Sequence, residues 1–311
     1  VMRLVGSEMC IRDSNIPDWL RLTAEGRLKE AYELSQDTNT FPEICGRICP
    51  QDRLCEGNCV IEQSGHETVT IGSVEKYITD TAWEKGWVKV ISPKIERKES
   101  VGIIGAGPAG LAAADRLRKV GIQVTIYDRY DRAGGLLTYG IPGFKLEKDV
   151  VMRRNKLLAE GGVKFKLNTN IGVDLPFSEI RSKHDAILIG TGVYKSRELS
   201  GIGSANKGIV KALDYLTASN RSNMGDHVPE IETGELNAKG KRIVVIGGGD
   251  TAMDCVRTAI RQGAKSVKCL YRRDKKNMPG SQRETKNAEE EGVEFVWLSC
   301  LLYTSPSPRD A

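Results

Sequence analysis

The sequence of 311 residues has no apolar run near the roughly 18 residues that a membrane-spanning helix needs. It has no block of lysine and arginine either, and its net charge is only +5, so no nucleic-acid partner is indicated. No secretory signal is recognisable, which makes the cytoplasm the expected compartment. The hydrophobic share of 40% and the 33 glycines are typical of a globular α/β protein with about two domains.

Both ends of the chain resemble foreign sequence. Residues 4–14 read LVGSEMCIRDS and residues 300–310 read CLLYTSPSPRD. Both segments can be encoded by a single oligonucleotide that resembles a transposase sequencing adapter: one strand encodes the first segment, and the complementary strand encodes the second. We therefore interpret 1–14 and 300–311 as translated adapter and only 15–299 as natural protein.

A helical domain is predicted at the start of the natural sequence. Amphipathic periodicity predicts one helix over residues 16–35 and another over 72–87. A charged linker that contains proline, 92–100, follows them. The predicted helical domain is 15–95.

The rest of the chain repeats one scheme of strand, turn, helix and strand. Strands are predicted at 101–104, 123–127, 185–189, 242–246 and 266–271, and helices at 111–120 and 251–262. The segment EGGVKFKL, which begins at Glu160, is echoed by EGVEFVWL, which begins at Glu291. This repetition predicts two Rossmann-like dinucleotide-binding domains, 100–200 and 201–299.

The first domain carries the fingerprint GAGPAG over residues 105–110. Gly105 allows a tight turn after the strand, Gly107 lets a pyrophosphate approach the backbone, and Gly110 lets helix and strand pack closely. Pro108 and Ala109 begin the helix, whose N-terminus favours negative charge. A bound dinucleotide is therefore predicted here.

The residues around this fingerprint indicate FAD. Asp128 ends the second strand, where a carboxylate accepts hydrogen bonds from ribose hydroxyls and repels a 2′-phosphate. The glycine pair Gly134-Gly135, followed by Leu136, offers a second close approach to a long dinucleotide. The remaining candidate FAD-binding residues, after the 185–189 strand, are Thr191 and Gly192.

The second fingerprint, GGGDTA, differs at its third glycine position. Gly247 and Gly249 keep the roles of the first two glycines, but Ala252 stands at the third. Asp250 and Thr251 lie between them, at the predicted start of the helix. This turn is predicted to bind a second pyrophosphate.

Two arginines indicate which nucleotide the second fingerprint binds. Arg272 and Arg273 follow the second strand of this domain, where the first domain has Asp128. Two guanidinium groups at this place grip a 2′-phosphate through forked, charge-assisted hydrogen bonds. The prediction is NADPH rather than NADH, with a solvated basic pair as the alternative.

Four cysteines lie close together in the helical domain. Cys45, Cys49, Cys55 and Cys59 have the spacing C-x3-C-x5-C-x3-C, and Pro50 follows Cys49. Such thiolates ligate zinc or iron–sulfur. The wide gaps and the Cys-Pro pair favour iron–sulfur, and zinc stays as the alternative.

The remaining cysteines are predicted to be structural. Cys255 and Cys269 lie in apolar patterns and are expected in the core. Neither nucleotide domain contains a CxxC pair, so a disulfide relay is not expected.

Several long strings resemble a single family. They are FPEICGRICPQDRLCEGNC, VTIGSVEKYI, GIIGAGPAGLAAADRL, GGLLTYGIPGFKLEK, VIGGGDTAMDCVRTAIRQGA and YRRDKKNMPGSQRE. Over residues 15–299 the chain resembles the small (beta) subunits of bacterial NADPH-dependent glutamate synthases. The same module recurs as the N-terminal electron-input region of dihydropyrimidine dehydrogenase.

The resemblance implies FAD, NADPH and two 4Fe-4S clusters. It implies that Cys49 and Cys55 ligate one cluster and Cys59 the other, with Glu75 as a non-cysteine ligand. Cys45 is then either a ligand or a packing thiol. The family's upstream cysteine quartet and its C-terminal return to the FAD domain are not in the sequence, so the chain is expected to be a fragment that is inactive alone.

The resemblance also implies a function. NADPH would reduce FAD, and the clusters would pass electrons to a large FMN and iron–sulfur subunit that makes glutamate from glutamine and 2-oxoglutarate. No side chain needs to act as acid or base in hydride transfer. One alternative is the electron-input subunit of dihydropyrimidine dehydrogenase or a related complex. Another is a zinc-stabilised, nucleotide-binding regulatory protein.

Overall fold

A computed structural model describes residues 15–194 and 208–299, which form two compact units. The described part of the first unit is 15–138 with 144–193, and that of the second is 139–143, 194 and 208–299. The two adapter-like ends and the predicted domain boundary at 200–201 lie outside the described residues. No helix in the described part of the chain is long and apolar enough to cross a membrane.

The first unit begins with a group of short helices. They are α1 (Ile16–Ala24), α2 (Leu28–Thr38), α3 (Pro42–Ile48), α4 (Val60–Gln63) and α5 (Ile71–Glu84), with a 3-10 turn at Gln51–Arg53. Trp19, Ala31 and Ile78 are buried together where α1, α2 and α5 meet. Helix α3, which carries Cys45, packs along α5.

The prediction of one helix over 16–35 is wrong, because the chain reverses after α1. Gly26 has a φ of +75°, and its N–H donates to the carbonyl of Thr23 while that of Arg27 donates to Leu22. This left-handed glycine cap ends a helix and redirects the chain. Gly86, with a φ of +68°, acts in the same way after α5, which therefore ends before residue 87.

A four-stranded parallel sheet follows in the same unit. The strands and helices of this part are β1 (Ser100–Ile104), α6 (Pro108–Lys119), β2 (Gln123–Tyr127), α7 (Leu136–Tyr139), α8 (Lys148–Glu160), β3 (Lys164–Lys166), α9 (Phe177–Lys183) and β4 (Ala186–Ile189). The last residue of α7 belongs to the second unit. The strand order is β3-β2-β1-β4. Ile103 and Ile126 are fully buried, as expected for central parallel strands that are covered on both faces.

The second unit repeats this arrangement. Its elements are α10 (Ala212–Asn223), α11 (Pro229–Glu232), β5 (Arg242–Ile246), α12 (Asp250–Arg261), β6 (Ser266–Leu270), α13 (Gln282–Glu290) and β7 (Glu294–Val296). All three strands are parallel, in the order β5-β6-β7. The echoed segments form β3 and β7, the third strand of each scheme, so the prediction of two Rossmann-like units is confirmed.

Candidate functional site

The first fingerprint forms a turn that only glycine fits at two positions. Gly105 has a φ of +111°, and a Cβ there would collide with the carbonyl of Gly190. A Cβ on Gly110 would collide with the carbonyl of Gly105. The turn, the start of α6 and the end of β4 are therefore in direct contact.

Gly107, between these two, faces open space. It immediately precedes α6, and a Cβ built on it meets no atom of the described chain within 4 Å. No side chain among the described residues caps the helix, which begins at Pro108 and Ala109. The N–H groups of its first turn are thus available to an anion, as a pyrophosphate site requires.

The glycine pair lies against this turn. The Gly134 N–H donates to the carbonyl of Ala106 at 2.8 Å. A Cβ on Gly135 would lie 2.8 Å from the Cα of Gly107, and its φ is +54°. Leu136 then begins α7. The structure therefore brings together the two glycine motifs that the sequence predicts for one dinucleotide.

Asp128 has a structural role that the sequence reasoning missed. Its carboxylate accepts hydrogen bonds from the N–H of Ala106 at 2.6 Å and from that of Tyr130 at 2.9 Å. Each carboxylate oxygen keeps a second lone pair, so the carboxylate can still accept a hydrogen bond from a ribose hydroxyl. The Cα of Thr191 would lie 3.2 Å from a Cβ on Gly105, and Gly192 follows it in exposed chain.

The second fingerprint forms a looser turn. Gly247 has a φ of +137°, and the Cβ it would carry lies 3.8 Å from the Cβ of Ala252, an ordinary contact that explains why alanine fits. Gly249 again meets nothing within 4 Å among the described residues. Helix α12 begins with Asp250 and Thr251, which are both exposed.

Arg272 and Arg273 are exposed just beyond the carboxyl end of β6. The backbone of Arg273 is attached at one point, because its carbonyl accepts a hydrogen bond from the N–H of Leu298 at 3.2 Å. Neither guanidinium is within ion-pair distance of a carboxylate in the described part of the chain. Both are thus available to an anionic ligand.

A loop beside this turn was missed by the sequence reasoning. The Gly280 N–H donates to the carbonyl of Gly248 at 2.7 Å, and the Ser281 N–H donates to Asp250 Oδ1 at 2.9 Å. The only sequence signal was the Met-Pro-Gly-Ser segment at 278–281. This loop holds the basic segment against the fingerprint.

In the helical part, a polar cluster surrounds the end of α3. Asn39 accepts a hydrogen bond from the Cys45 thiol at 3.6 Å and donates one to Glu75 at 2.9 Å. Burial raises the pKa of Glu75 to about 8, and the neighbouring Cys45 adds to this. The hydrogen bond between Cys45 and Cys49 lowers the pKa of the Cys49 thiol. Asn39 was not foreseen from the sequence.

Cys55 and Cys59 have other surroundings. Burial raises the pKa of the Cys55 thiol to about 11. Burial would raise the pKa of Cys59 too, but backbone hydrogen bonds, first that of Val69, lower it overall. Within 15–194 and 208–299, no three such side chains converge closely enough to hold one metal ion. The donors fit a cluster better, because its ligands bind separate irons through soft thiolates.

Helix α3 is joined to the helices α8 and α5 by ion pairs, one of which is fully buried. Arg154 on α8 binds the carboxylate of Glu43 through two hydrogen bonds, of 2.6 and 2.9 Å. Arg47 binds Asp80 at 2.8 Å, and Arg153 reaches the same carboxylate at 3.0 Å. Because Glu43 and Arg47 lie on the helix of Cys45, these pairs position the cysteine cluster.

Two families match the sequence. The family described as pyridine nucleotide-disulphide oxidoreductase matches residues 99–301, well over half of the chain. The family described as dihydropyrimidine dehydrogenase domain II, 4Fe-4S cluster, matches residues 4–87. The chain belongs to the pyridine nucleotide-disulphide oxidoreductases, with an iron–sulfur type domain before the nucleotide-binding units.

Among its relatives are small chains of NADPH glutamate synthases. The chain is 69% identical to that of Azospirillum brasilense over 93% of its own length and 60% of the relative. It is 51% identical to that of Escherichia coli K12 over 92% of its own length and 60% of the relative. The chain thus spans about three fifths of the curated relatives it matches.

A solved structure has the same fold. FprA of Mycobacterium tuberculosis in complex with NADPH matches with a TM-score of 0.53 and 21% identity, over 62% of this chain and 48% of that one. At this identity the likeness concerns the fold alone.

Proposed function

We propose that the chain is the electron-input part of an NADPH-dependent glutamate synthase, with FAD in the first unit and NADPH in the second. The observation that carries this is the contrast between two similar turns. Each presents an open glycine before a helix, yet one strand end carries the carboxylate of Asp128 and the other carries Arg272 and Arg273. The 69% identity to a glutamate synthase small chain supports the choice of complex.

The chain's own residues bind and orient the nucleotides in this proposal. The N–H groups behind Gly107 and Gly249 receive the two pyrophosphates, and Asp128 orients the FAD ribose. Arg272 and Arg273 clamp the 2′-phosphate of NADPH. A bound flavin supplies the conversion of hydride transfer into single-electron steps.

The cysteines would hold the iron–sulfur clusters that pass those electrons onward. Cys49, Cys55, Cys59 and Glu75 are the proposed cluster ligands, and Cys45, whose thiol donates a hydrogen bond to Asn39, lies beside them. The proposed acceptor is a large FMN and iron–sulfur subunit that makes glutamate from glutamine and 2-oxoglutarate. All six described cysteines are free thiols, which fits the reducing cytoplasm.

A second complex is the main alternative. The match to a domain of dihydropyrimidine dehydrogenase favours the same electron-input role in a pyrimidine reductase. Capture of a large FMN-containing subunit, and its identification by mass spectrometry, distinguishes the two. A zinc-stabilised regulatory protein is disfavoured because the segment that carries the four cysteines matches a domain described as a 4Fe-4S cluster domain.

The nucleotide assignment is tested by the double variant Arg272→Ala/Arg273→Ala. Each charge-assisted hydrogen bond contributes about 1.5–3 kcal/mol, so NADP+ should bind at least about tenfold more weakly in calorimetric titration, while the affinity for NAD+ stays constant. Arg242→Ala is the matched control, because this exposed arginine is the first residue of β5. It therefore lies at the amino ends of the parallel strands, away from the carboxyl ends where Arg272 and Arg273 lie. Equal losses with both nucleotides would contradict the assignment.

A further inference from the structure

We infer that Tyr271 is a positioning residue for nucleotide choice, because it fixes the arginine pair relative to the second fingerprint turn. The inference rests on the proposed function, since it requires that the second unit binds a nucleotide with a 2′-phosphate. It concerns a residue that touches neither phosphate and acts through the segment it holds. We call residues 271–281 the strap.

The ring of Tyr271 packs directly on the fingerprint. The residue is only 8% exposed, and a Cβ on Gly248 would lie 2.6 Å from its ring. On another side the ring meets that of Trp297 edge-on, with centroids 6.5 Å apart. The ring is therefore a spacer between the pyrophosphate turn and the basic segment that follows it.

The hydroxyl of Tyr271 closes the strap on itself. It donates to the carbonyl of Asn277 at 3.1 Å. The N–H of Asn277 in turn donates to Asp274 Oδ1 at 2.8 Å. Arg272 and Arg273 lie inside this closed segment, so the hydroxyl limits how far they can move.

The far end of the strap returns to the same fingerprint. Gly280 donates to the carbonyl of Gly248, and Ser281 donates to the carboxylate of Asp250. The strap is thus attached to the turn through the Tyr271 ring at one end and through these two hydrogen bonds at the other. Both attachments lie within the second unit.

This construction separates two parts of nucleotide binding. The pyrophosphate contacts the fingerprint itself, whereas the 2′-phosphate contacts guanidiniums whose place depends on the strap. Forked hydrogen bonds to a phosphate need a fixed geometry. Loosening the strap should therefore weaken the binding of ligands that have a 2′-phosphate and leave the affinity for ligands without it unchanged.

The test compares NADP+ with NAD+, which differ only in the 2′-phosphate, by calorimetric titration of the full chain. Tyr271→Phe keeps the ring but loses one hydrogen bond, so NADP+ should bind about three- to tenfold more weakly with NAD+ unchanged. Tyr215→Phe is the matched control, because its hydroxyl also makes one hydrogen bond in this unit, to Gln262 at 2.9 Å.

A second variant perturbs the other end of the strap. In Gly280→Ala the new Cβ would lie 2.9 Å from the carbonyl oxygen of Gly248, which pushes the strap from the turn without any change of charge. The same selective loss of NADP+ affinity is expected. It also keeps the inference testable if Tyr271→Phe does not fold.

The outcomes separate the inference from the function it rests on. A parent chain with equal affinity for NADP+ and NAD+ contradicts the NADPH assignment itself. A parent chain that prefers NADP+, with variants that keep the full preference, overturns the role of Tyr271 alone. If the variants lose affinity for NADP+ and NAD+ to the same extent, Tyr271 only supports the fold, which also overturns the inference.

Discussion

Replacement of Glu43 by glutamine should destabilise the first unit strongly. Glu43 is 0% exposed and Arg154 is 3% exposed, and two hydrogen bonds join them. The arginine also lies over the rings of Phe41 and Trp83, at 5.7 and 5.6 Å. Glu43→Gln thus leaves a guanidinium buried among aromatic groups without its hydrogen-bonded carboxylate, and the more distant Asp115 is the only carboxylate that still favours its charge.

The expected loss is large because water cannot reach the uncompensated charge. Removal of one partner of a buried ion pair costs about 3–5 kcal/mol, which we expect in the free energy of unfolding measured with urea. The control is Glu160→Gln, at the end of the helix α8 that carries Arg154. Its partner Lys156 is 3.8 Å away, and the two side chains are 48% and 79% exposed, so a change below about 0.5 kcal/mol is expected.

A double variant separates charge from packing. In Glu43→Leu/Arg154→Met the unbalanced charge is absent, so most of the lost stability should return, since apolar replacements of buried pairs are often neutral. Our account of this contact is refuted if Glu43→Gln costs no more than the Glu160→Gln control.

Two further predictions concern glycines and thiols. Gly107→Ala should fold with unchanged stability but bind less flavin, measured as flavin per protein, because the new Cβ meets only the space assigned to the pyrophosphate. Gly135→Ala should lose both flavin and stability, because its φ is positive and its Cβ would strike Gly107. In cluster-free protein at pH 8, iodoacetamide should modify Cys49 and Cys59, whose thiol pKa values are lowered, before it modifies Cys255 and Cys269, as mass spectrometry would show. Burial raises the pKa of these two thiols to about 12 and about 11, so their thiolate fractions are only about 1 in 10,000 and 1 in 1,000.

Each has a result that would count against it. If Gly107→Ala retains flavin at full occupancy, the pyrophosphate does not lie in the space in front of Gly107. Rapid labelling of Cys255 in the folded protein would show that this thiol becomes accessible to solvent. Labelling of both core thiols only after unfolding is the expected control.

Local features of the fold were readable from the sequence. The strands at 123–127 and 242–246 have the predicted bounds, because short apolar runs there are limited by glycine or charge. The burial of Cys255 and Cys269 is confirmed as well. The helix over 16–35 was misread because its apolar spacing continues across Gly26, whose left-handed conformation periodicity does not reveal.

Contacts between distant residues were not readable. Glu43 and Arg154 are 111 residues apart, and nothing local in either segment shows that they meet. Likewise the Met-Pro-Gly segment predicts a turn, but not that Gly280 bonds the fingerprint. Residues whose role follows from a turn were found, whereas those whose role follows from packing, such as Asn39 and Tyr271, were not.

The central proposal is that this chain belongs to a protein that takes electrons from NADPH into a bound flavin. It is tested most directly by the absorption spectrum of the anaerobically prepared protein, recorded before and after addition of NADPH or NADH. The account predicts a flavin band that bleaches with NADPH and hardly with NADH. A colourless protein that responds to neither nucleotide would contradict it.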